Sequence, residues 1–264
     1  MIRIEELSQL KSQMAAARMA YGAGDFNQCA RNYSKTIELA EQEGLDGAIV
    51  SEAYTDLSVC QSARREFKEA ETLLNKALAI SQSDPHCDPI LLARNYHELS
   101  VLYWRTERED GSREMNDRAL AALESASESA SENAAELKVM ILKHKAVLLA
   151  DNQLYKEANK LLDTALDICL SSRDLGKNSL AYGQTLITKV LLCVDTKNFE
   201  EAKQLYSQAV QIVEMHWGVH HPKVADLYDI FANHAKAANK EEAAEFFHKK
   251  SQTLRDWIKN SYKW

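Results

Sequence analysis

Apolar residues recur along this chain at spacings of three and four, and one set of positions returns in every repeat. An aromatic residue is followed by alanine three positions later and by a second alanine seven further on, as in Phe67-Ala70-Ala77 and Tyr155-Ala158-Ala165. A third copy begins at Phe199, and less regular copies begin at Phe26, Glu109 and Glu241. Such spacings place the apolar residues on one stripe of an α-helix. A period of about 42 residues is typical of stacked helix pairs, so the pattern predicts a helical solenoid.

Each repeat divides into a helix A, a short turn and a helix B. In the second repeat, Ser58 of helix A and Ala70 of helix B are small enough for the two helices to approach, and Ala77 lets the following helix A pack. We therefore predict an all-α, right-handed α-solenoid of twelve helices. It forms a single array over 1–264, with repeats at about 8–43, 49–82, 90–125, 134–172, 178–215 and 222–258, and the last helix is a polar cap.

These positions resemble the tetratricopeptide repeat. The order of a large residue, Leu-small, an aromatic residue, alanine and a late alanine is present as Tyr54-Leu57-Ser58-Phe67-Ala70-Ala77. The stretch from Gly218 to Ala225, with His221, Pro222 and Val224, resembles a loop of the 42-residue variety found in kinesin light chains. The resemblance covers essentially the whole chain and implies a scaffold that binds short acidic peptides containing Trp or Tyr.

One departure from those relatives limits what the resemblance implies. The relatives carry an Asn pair before the Leu-small step, whose amides hold the peptide backbone. Here the matching positions are Thr55-Asp56, His97-Glu98 and Asp229-Ile230. Recognition of kinesin cargo is therefore not carried over to this chain.

In this fold the inner face of helix A supplies most ligand contacts, so we expect a peptide-binding groove there. Cations surround an indole in the middle of this face, an arrangement that suits an extended segment of another protein with carboxylates beside a bulky apolar side chain. Ordinary solvated cations with a half-buried Trp104 remain the alternative. The predicted groove residues are Arg18, Tyr21, Arg94, His97, Val101, Trp104, Arg105 and Lys143.

Composition narrows the class of protein further. The formal net charge of −7 argues against a general nucleic-acid binder, which needs a basic face. No run of eighteen apolar residues and no signal-peptide core are present, so we expect no membrane insertion and a cytoplasmic location. Five cysteines without a Cys-x-x-Cys spacing are expected to be thiols.

Catalytic motifs are missing from the sequence. There is no Gly-x-Ser-x-Gly and no Gly-x-Gly-x-x-Gly, and the stretch from Gly176 to Ser179 lacks the earlier glycine of a phosphate loop. His216, His220 and His221 have a spacing that would allow two imidazoles on a metal ion, but the loop of the repeat family explains them better. We therefore expect no enzyme activity, no cofactor and no metal.

Two functions other than peptide binding remain as alternatives. A homo-oligomeric scaffold would use the aromatic carboxy-terminal edge, composed of Trp257, Ile258, Tyr262 and Trp264. A peptide-responsive regulator is disfavoured, since the first repeat begins at about Ser8 and leaves no room for an effector region.

The third repeat departs from the pattern at 109–111 and at Asn116, and the Ser/Glu-rich stretch 124–132 follows it. The pattern is compatible with a loosely packed unit or with a functional bend.

The register of the repeats leads to a first prediction. Ala70→Leu and Ala202→Leu should each lower the free energy of unfolding by about 1 to 3 kcal/mol, because both positions lie where helix A meets helix B too closely for a larger side chain. Denaturant titration measures the change. A variant as stable as the parent would show that the register is wrong.

Overall fold

The computed structural model describes residues 4–45, 47–126 and 134–261. These residues form α-helices joined by turns and contain no strand, which confirms the all-α prediction. The helices are α1 Ile4–Gly22, α2 Phe26–Gln42, α3 Ala48–Ala63, α4 Phe67–Ser83, α5 Pro89–Arg105, α6 Glu109–Glu124, α7 Ala134–Asp151, α8 Tyr155–Ser171, α9 Leu180–Asp195, α10 Phe199–Trp217, α11 Pro222–Ala237 and α12 Glu241–Ser261. Odd-numbered helices are helix A of a repeat and even-numbered helices are helix B. No helix in the described ranges is both long enough and apolar enough to cross a membrane.

The chain divides into two compact units, residues 1–137 and residues 138–264. In the first unit, α1 packs on α2, α3 on α4 and α5 on α6, and in the second unit α9 packs on α10 and α11 on α12. In addition, α4 packs on α5 in the first unit and α8 on α9 in the second. The small residues that define the repeat are buried, with Ala70 and Ala77 of α4 and Ala158 and Ala165 of α8 fully inaccessible to solvent. The close approach predicted from the sequence is therefore present in both units.

Every turn from helix A to helix B contains one residue with a positive φ, two positions before helix B begins. Only the first of these residues is a glycine, so the usual sequence signal for such a turn is absent from the other five. The six residues are Gly24, Arg65, Glu107, Gln153, Lys197 and Asn239.

A tyrosine of helix A links each of three repeats to the preceding helix B. The Tyr54 hydroxyl donates to Glu41 Oε1 at 2.9 Å, and Lys76 Nζ lies 5.4 Å from the centre of the Tyr54 ring. A similar combination of a ring, a polar group near the end of the previous helix B and a cation 22 positions later recurs twice. At Tyr228 the hydroxyl again donates to a carboxylate, that of Glu214, and Lys250 lies over the ring. At Tyr96 the direction is reversed, because Nε2 of Gln82 donates to the hydroxyl, and Arg118 lies over the ring. The link is thus part of the repeat, although the sequence pattern did not reveal it.

The buried side chain of Asn95 joins the second repeat to the third. Its amide nitrogen donates to Ser51 Oγ at 3.1 Å and to Ser81 Oγ at 2.9 Å, and its oxygen accepts a 2.6 Å hydrogen bond from the Thr55 hydroxyl. A buried amide costs free energy unless it is hydrogen-bonded. Because these bonds connect α3, α4 and α5, they hold the two repeats in register.

The third repeat is closely packed where α5 meets α6, which corrects the expectation of a loose unit at that point. A Cβ atom on Gly111 would lie 2.8 Å from Cδ2 of Tyr103. The hydroxyls of Ser100 and Ser112 donate to each other's carbonyl oxygens at 2.7 and 2.8 Å. The small residues that broke the aromatic pattern therefore allow a close helix contact. Residues 127–133 of the Ser/Glu-rich stretch lie outside the described residues.

The cysteines differ from the prediction of five thiols. Cys29 of α2 and Cys60 of α3 are joined by a disulfide, with their Cα atoms 6.6 Å apart, whereas Cys87, Cys169 and Cys193 are thiols. Both bonded cysteines occupy small-residue positions at a helix contact and are fully buried. Their spacing in the sequence carries no sign of this pairing, because the contact is between two different repeats.

Gly183 leads to a prediction about packing in the second unit. A Cβ atom on Gly183 of α9 would lie 2.6 Å from Cγ2 and 3.0 Å from Cβ of Ile212 in α10, whereas nothing lies within 4 Å of the same position on Gly22. Both alanine substitutions raise helix propensity. Gly183→Ala should therefore leave the protein about 1 to 3 kcal/mol less stable than Gly22→Ala, because only the former overpacks a contact. Equal melting curves for the two variants would contradict this account of the contact.

Candidate functional site

A pocket of about 240 Å³ opens on the helix A side of the first unit. It brings together Arg18 and Tyr21 of α1 and Arg94 of α5, all three of which were predicted as groove residues. The other lining residues come from α2 and α3, and they are Tyr33, Asp56, Val59 and Cys60.

Asp56 is the centre of this pocket. Its side chain is 8% exposed, and its carboxylate accepts a 2.7 Å hydrogen bond from the Tyr33 hydroxyl. It also pairs with the guanidinium of Arg94 and lies 3.6 Å from Nε of Arg18. Since α1, α2, α3 and α5 all contribute to these contacts, the first three repeats meet at one carboxylate.

The second carboxylate of the pocket region belongs to Glu52, one helical turn before Asp56. Glu52 Oε1 lies 2.6 Å from Nη2 of Arg18 and 3.8 Å from Nη1 of Arg94. Two cations thus face two carboxylates, and the charges of the four groups cancel. The strongly cationic groove expected from the sequence is therefore not present at this pocket.

The same contacts change the protonation of two lining groups. Burial and, after it, the negative charge of Asp56 raise the pKa of Tyr33, so the phenol remains a hydrogen-bond donor. Burial alone would lower the pKa of Arg94, but the charges of Asp56, Glu98 and Glu52 outweigh it and raise that pKa. Tyr33 therefore stays a neutral hydrogen-bond donor and Arg94 stays a cation beside the side chain of Asp56.

On α5, Arg94, Val101 and Arg105 share one stripe, because separations of seven and eleven residues return within about 20° of the same direction. The stripe is about 16 Å long at the rise of an α-helix. At its far end, Arg105 Nη1 donates to Ser62 Oγ at 2.6 Å, and its guanidinium lies 4.9 Å from the centre of the Phe67 ring. Arg94 and Arg105 are therefore both held against the neighbouring repeat.

His97 and Trp104 lie to one side of this stripe. His97 is 3% exposed, so its imidazole is part of the interior and is not on an open face as the prediction required. Trp104 is 39% exposed and presents part of its indole at the edge of α5. The reason is geometric, since residues three and ten positions after Arg94 lie about 60° to 80° around the helix from it.

Lys143 belongs to the second unit, where its ammonium group donates to Gln184 Oε1 at 2.9 Å. This bond links α7 to α9. A corresponding contact links α9 to α11, because Nδ1 of His234 lies 2.8 Å from Oδ1 of Asp195. Lys143 is thus a helix A residue of the second unit, as predicted from the register.

Tyr33 was not predicted from the sequence, Glu52 was not among the predicted groove residues, and Asp56 was identified only as a departure from the repeat pattern. Tyr33 lies on helix B, so a search restricted to helix A does not find it. The sequence signal for this cluster was Asp56 itself, an acidic residue at a position where a related repeat carries an amide. An acidic residue on a mostly buried face needs a charged partner nearby, which would have pointed to the arginines.

The three clustered histidines have separate structural roles. His216 Nε2 lies 2.6 Å from the carbonyl oxygen of Asn178, and His220 stacks on Trp257 with the ring centres 3.7 Å apart. His221 precedes α11 and accepts a hydrogen bond from the backbone of Lys223. Within the described ranges, no three side chains of His, Cys, Asp or Glu come together in a way that would hold a metal ion.

The predicted carboxy-terminal edge is only partly described. Trp257 is 45% exposed and Ile258 is half-buried. Tyr262 and Trp264 lie outside the described residues.

Comparison with known proteins bears on this arrangement of helix pairs. Residues 8–83 match the tetratricopeptide repeat family. No curated protein sequence matches the chain. Among solved structures, the Rap protein complexed with competence and sporulation factor has a TM-score of 0.78 at 12% identity, covering 98% of this chain and 67% of that chain.

Two further structures share the fold. The quorum sensor NprR of B. thuringiensis, in complex with its cognate peptide NprX, has a TM-score of 0.67 at 15% identity and covers 92% of this chain and 65% of its own. A putative kinesin light chain of Podospora anserina with nearly identical repeats has a TM-score of 0.55 at 17% identity, covering 81% of this chain and 98% of that one.

The helix pairs and these likenesses define the class of protein as an all-α helical repeat solenoid. Residues 8–83 carry the match to the tetratricopeptide repeat family, as the sequence pattern indicated, and the solved structures share the fold of the chain as a whole.

Asp56 leads to a prediction for the pocket. Asp56→Asn should lower the free energy of unfolding by about 1 to 3 kcal/mol. The substitution removes the nearly buried negative charge with which Arg94 pairs and to which the Tyr33 hydroxyl donates. Asp226→Asn is the matched control. Asp226 pairs with Arg255 at 2.7 Å on the exposed surface, so the control should change stability by about 0.5 kcal/mol or less. Equal losses in denaturant titrations would contradict a central role for Asp56.

Proposed function

We propose that this chain is a non-catalytic adaptor that binds a peptide segment of another protein on the helix A side of its first unit. A tetratricopeptide array is a scaffold for protein interactions, and the observation that carries the finer proposal is the pocket at Asp56. Two guanidinium groups are held there beside an aromatic ring by side chains of the protein itself. Groups fixed before binding lose little conformational entropy when the ligand arrives.

The pocket offers donors to a peptide backbone. A guanidinium has five N–H groups in a planar fork, and Asp56 and Glu52 occupy only some of those on Arg18 and Arg94. The remaining donors suit backbone carbonyl oxygens or a carboxylate of the ligand. Tyr21 and Val59 supply apolar surface beside them. This combination fits an extended peptide whose backbone lies over the two arginines.

The α5 stripe sets the length of the proposed ligand. About 16 Å between Arg94 and Arg105 corresponds to about five residues of extended chain. At the Arg105 end, the guanidinium and the partly exposed Trp104 suit an acidic residue next to an aromatic one. Because the charges near Asp56 cancel, the preference for acidic residues belongs to this end of the ligand.

Structural neighbours support the proposal without defining the ligand. NprR has been solved with its cognate peptide NprX, so a related solenoid accommodates a peptide. The sequence identity of 15% carries the fold and not the binding residues. The identity of the ligand rests on the chemistry of the pocket alone.

We also propose that the protein acts in the cytoplasm, as its sequence indicates. Cell fractionation tests this proposal. The chain should be recovered with the cytoplasmic fraction, and recovery outside that fraction would contradict the location.

A displayed library of random short peptides tests the binding function. Peptides selected on the full chain should bind with about micromolar affinity, near −8 kcal/mol. Arg18→Gln and Trp104→Ala should each weaken them by about tenfold or more, mainly through faster dissociation, because they remove contacts formed only in the complex. Arg113→Gln is the control. Arg113 is an exposed arginine of α6 that pairs with Glu109 and does not line the pocket.

The outcomes separate this proposal from its alternatives. Peptides that bind all three variants as well as the parent would contradict the proposed site, provided that the melting temperatures are unchanged. A molecular mass that rises with concentration in light scattering, and falls on substitution of Trp257, would instead favour the homo-oligomeric scaffold.

A further inference from the structure

A second surface lies along the last helix, within the second unit. A groove of about 570 Å³ runs beside α12 and is closed on its other side by the end of α10 and the loop before α11. Phe246 is 53% exposed and Trp257 is 45% exposed. The groove is lined by Glu214, Val219, His220, Tyr228, Phe246, Lys249, Lys250, Thr253, Leu254 and Trp257.

The six repeats allow this surface to be compared with its own equivalents. Phe246 stands five positions after the start of helix B, where the other repeats carry Arg31, Thr72, Glu114, Lys160 and Gln204. Trp257 stands sixteen positions after that start, where the others carry Gln42, Ser83, Ser125, Ser171 and Met215. Packing of the repeat therefore does not require an aromatic residue at either position.

On the stacking face of α12, a polar residue stands where the earlier repeats carry an apolar one. Eleven positions after the start of helix B, the five earlier repeats carry Ile37, Leu78, Leu120, Leu166 and Val210, all buried or half-buried. The sixth repeat carries an exposed Gln252. The face on which a further repeat would stack has thus become polar, as a cap requires. The aromatic residues of the groove are not a remnant of stacking.

Part of the groove lining does belong to the ordinary repeat. Glu214, Tyr228 and Lys250 form the tyrosine link that is also found at Tyr54 and Tyr96. The features special to this groove are Phe246, Trp257, Val219, Lys249 and His220, whose ring stacks on Trp257 at 3.7 Å. The stacking fixes the indole in place, so the surface is formed before a ligand arrives.

We propose that this groove docks an acidic amphipathic helix of another protein. Phe246 and Trp257 are eleven residues apart on one side of α12, a separation of about 16 Å, which matches about three turns of a partner helix. Apolar side chains of that helix pack on the two rings. Its carboxylates pair with Lys249 and Lys250, since Glu214 is already the acceptor of the Tyr228 hydroxyl. A bilayer surface is too flat to enter a groove between α12 and a loop, so the occupant is a protein segment. The separation of about 16 Å between the two rings favours a helix.

The test uses the full chain carrying Arg18→Gln and Trp104→Ala, so that binding at the pocket near Asp56 does not contribute. The probes are two displayed libraries of helix-forming peptides with the same apolar stripe, one with Glu and one with Gln at the polar positions. The Glu library should yield binders and the Gln library should yield far fewer. Phe246→Gln and Trp257→Gln should each weaken the selected peptides by about tenfold or more. Lys249→Glu should slow their association at low salt.

Met215→Gln is the matched control, because Met215 is exposed at the register position of Trp257 but does not line the groove. It should leave the affinity unchanged. The proposal is overturned if neither library yields a binder that is sensitive to Phe246→Gln. It is also overturned if the chain self-associates through Trp257 in light scattering, or if vesicles of anionic lipid bind it and lose binding in the Phe246→Gln variant. The test protein carries Arg18→Gln and Trp104→Ala, which remove the proposed peptide contacts in the first unit. Each result is therefore independent of the proposed adaptor function.

Discussion

The close contact between helices at small residues is the constraint on which the rest of this structure depends. No helix pair of the array encloses its own apolar stripe completely, so stability comes from burial between neighbours. Fully buried alanines such as Ala70 and Ala165, together with Gly183, bring backbones close enough for that burial. The polar contacts between repeats, including those of Asn95 and Tyr54, are possible because those distances are short.

The same constraint produces the pocket. Once α1, α3 and α5 lie side by side, the side chains on their shared side must either satisfy one another or face solvent. Asp56 is nearly buried there, and a buried carboxylate is tolerated only with charged or hydrogen-bonding partners. Arg18, Arg94 and Tyr33 supply them. The result is a set of donors held in fixed positions, which is the property that a peptide-binding surface needs.

Much of the fold could be predicted from the sequence, because the aromatic-alanine pattern and its period follow directly from helix packing. The turns were located by register even though five of the six lack glycine. The disulfide between Cys29 and Cys60 could not be predicted, since it depends on which helices of different repeats touch.

At the site, the helix A positions of Arg18, Tyr21 and Arg94 followed from the period. The cancellation of their charges by Glu52 and Asp56 did not, because it depends on side-chain directions across three helices. His97 was misplaced because it lies about 60° around α5 from Arg94, on the packed side of the helix.

Mapping of backbone amide chemical shifts on the full chain, with and without a selected peptide, tests the central claim most directly. The account predicts shifts in α1, α3 and α5 around Arg18, Asp56 and Arg94, together with slower exchange of the Tyr33 hydroxyl proton. Shifts confined to α12 and the loop before α11, with the signals around Asp56 unmoved, would contradict it.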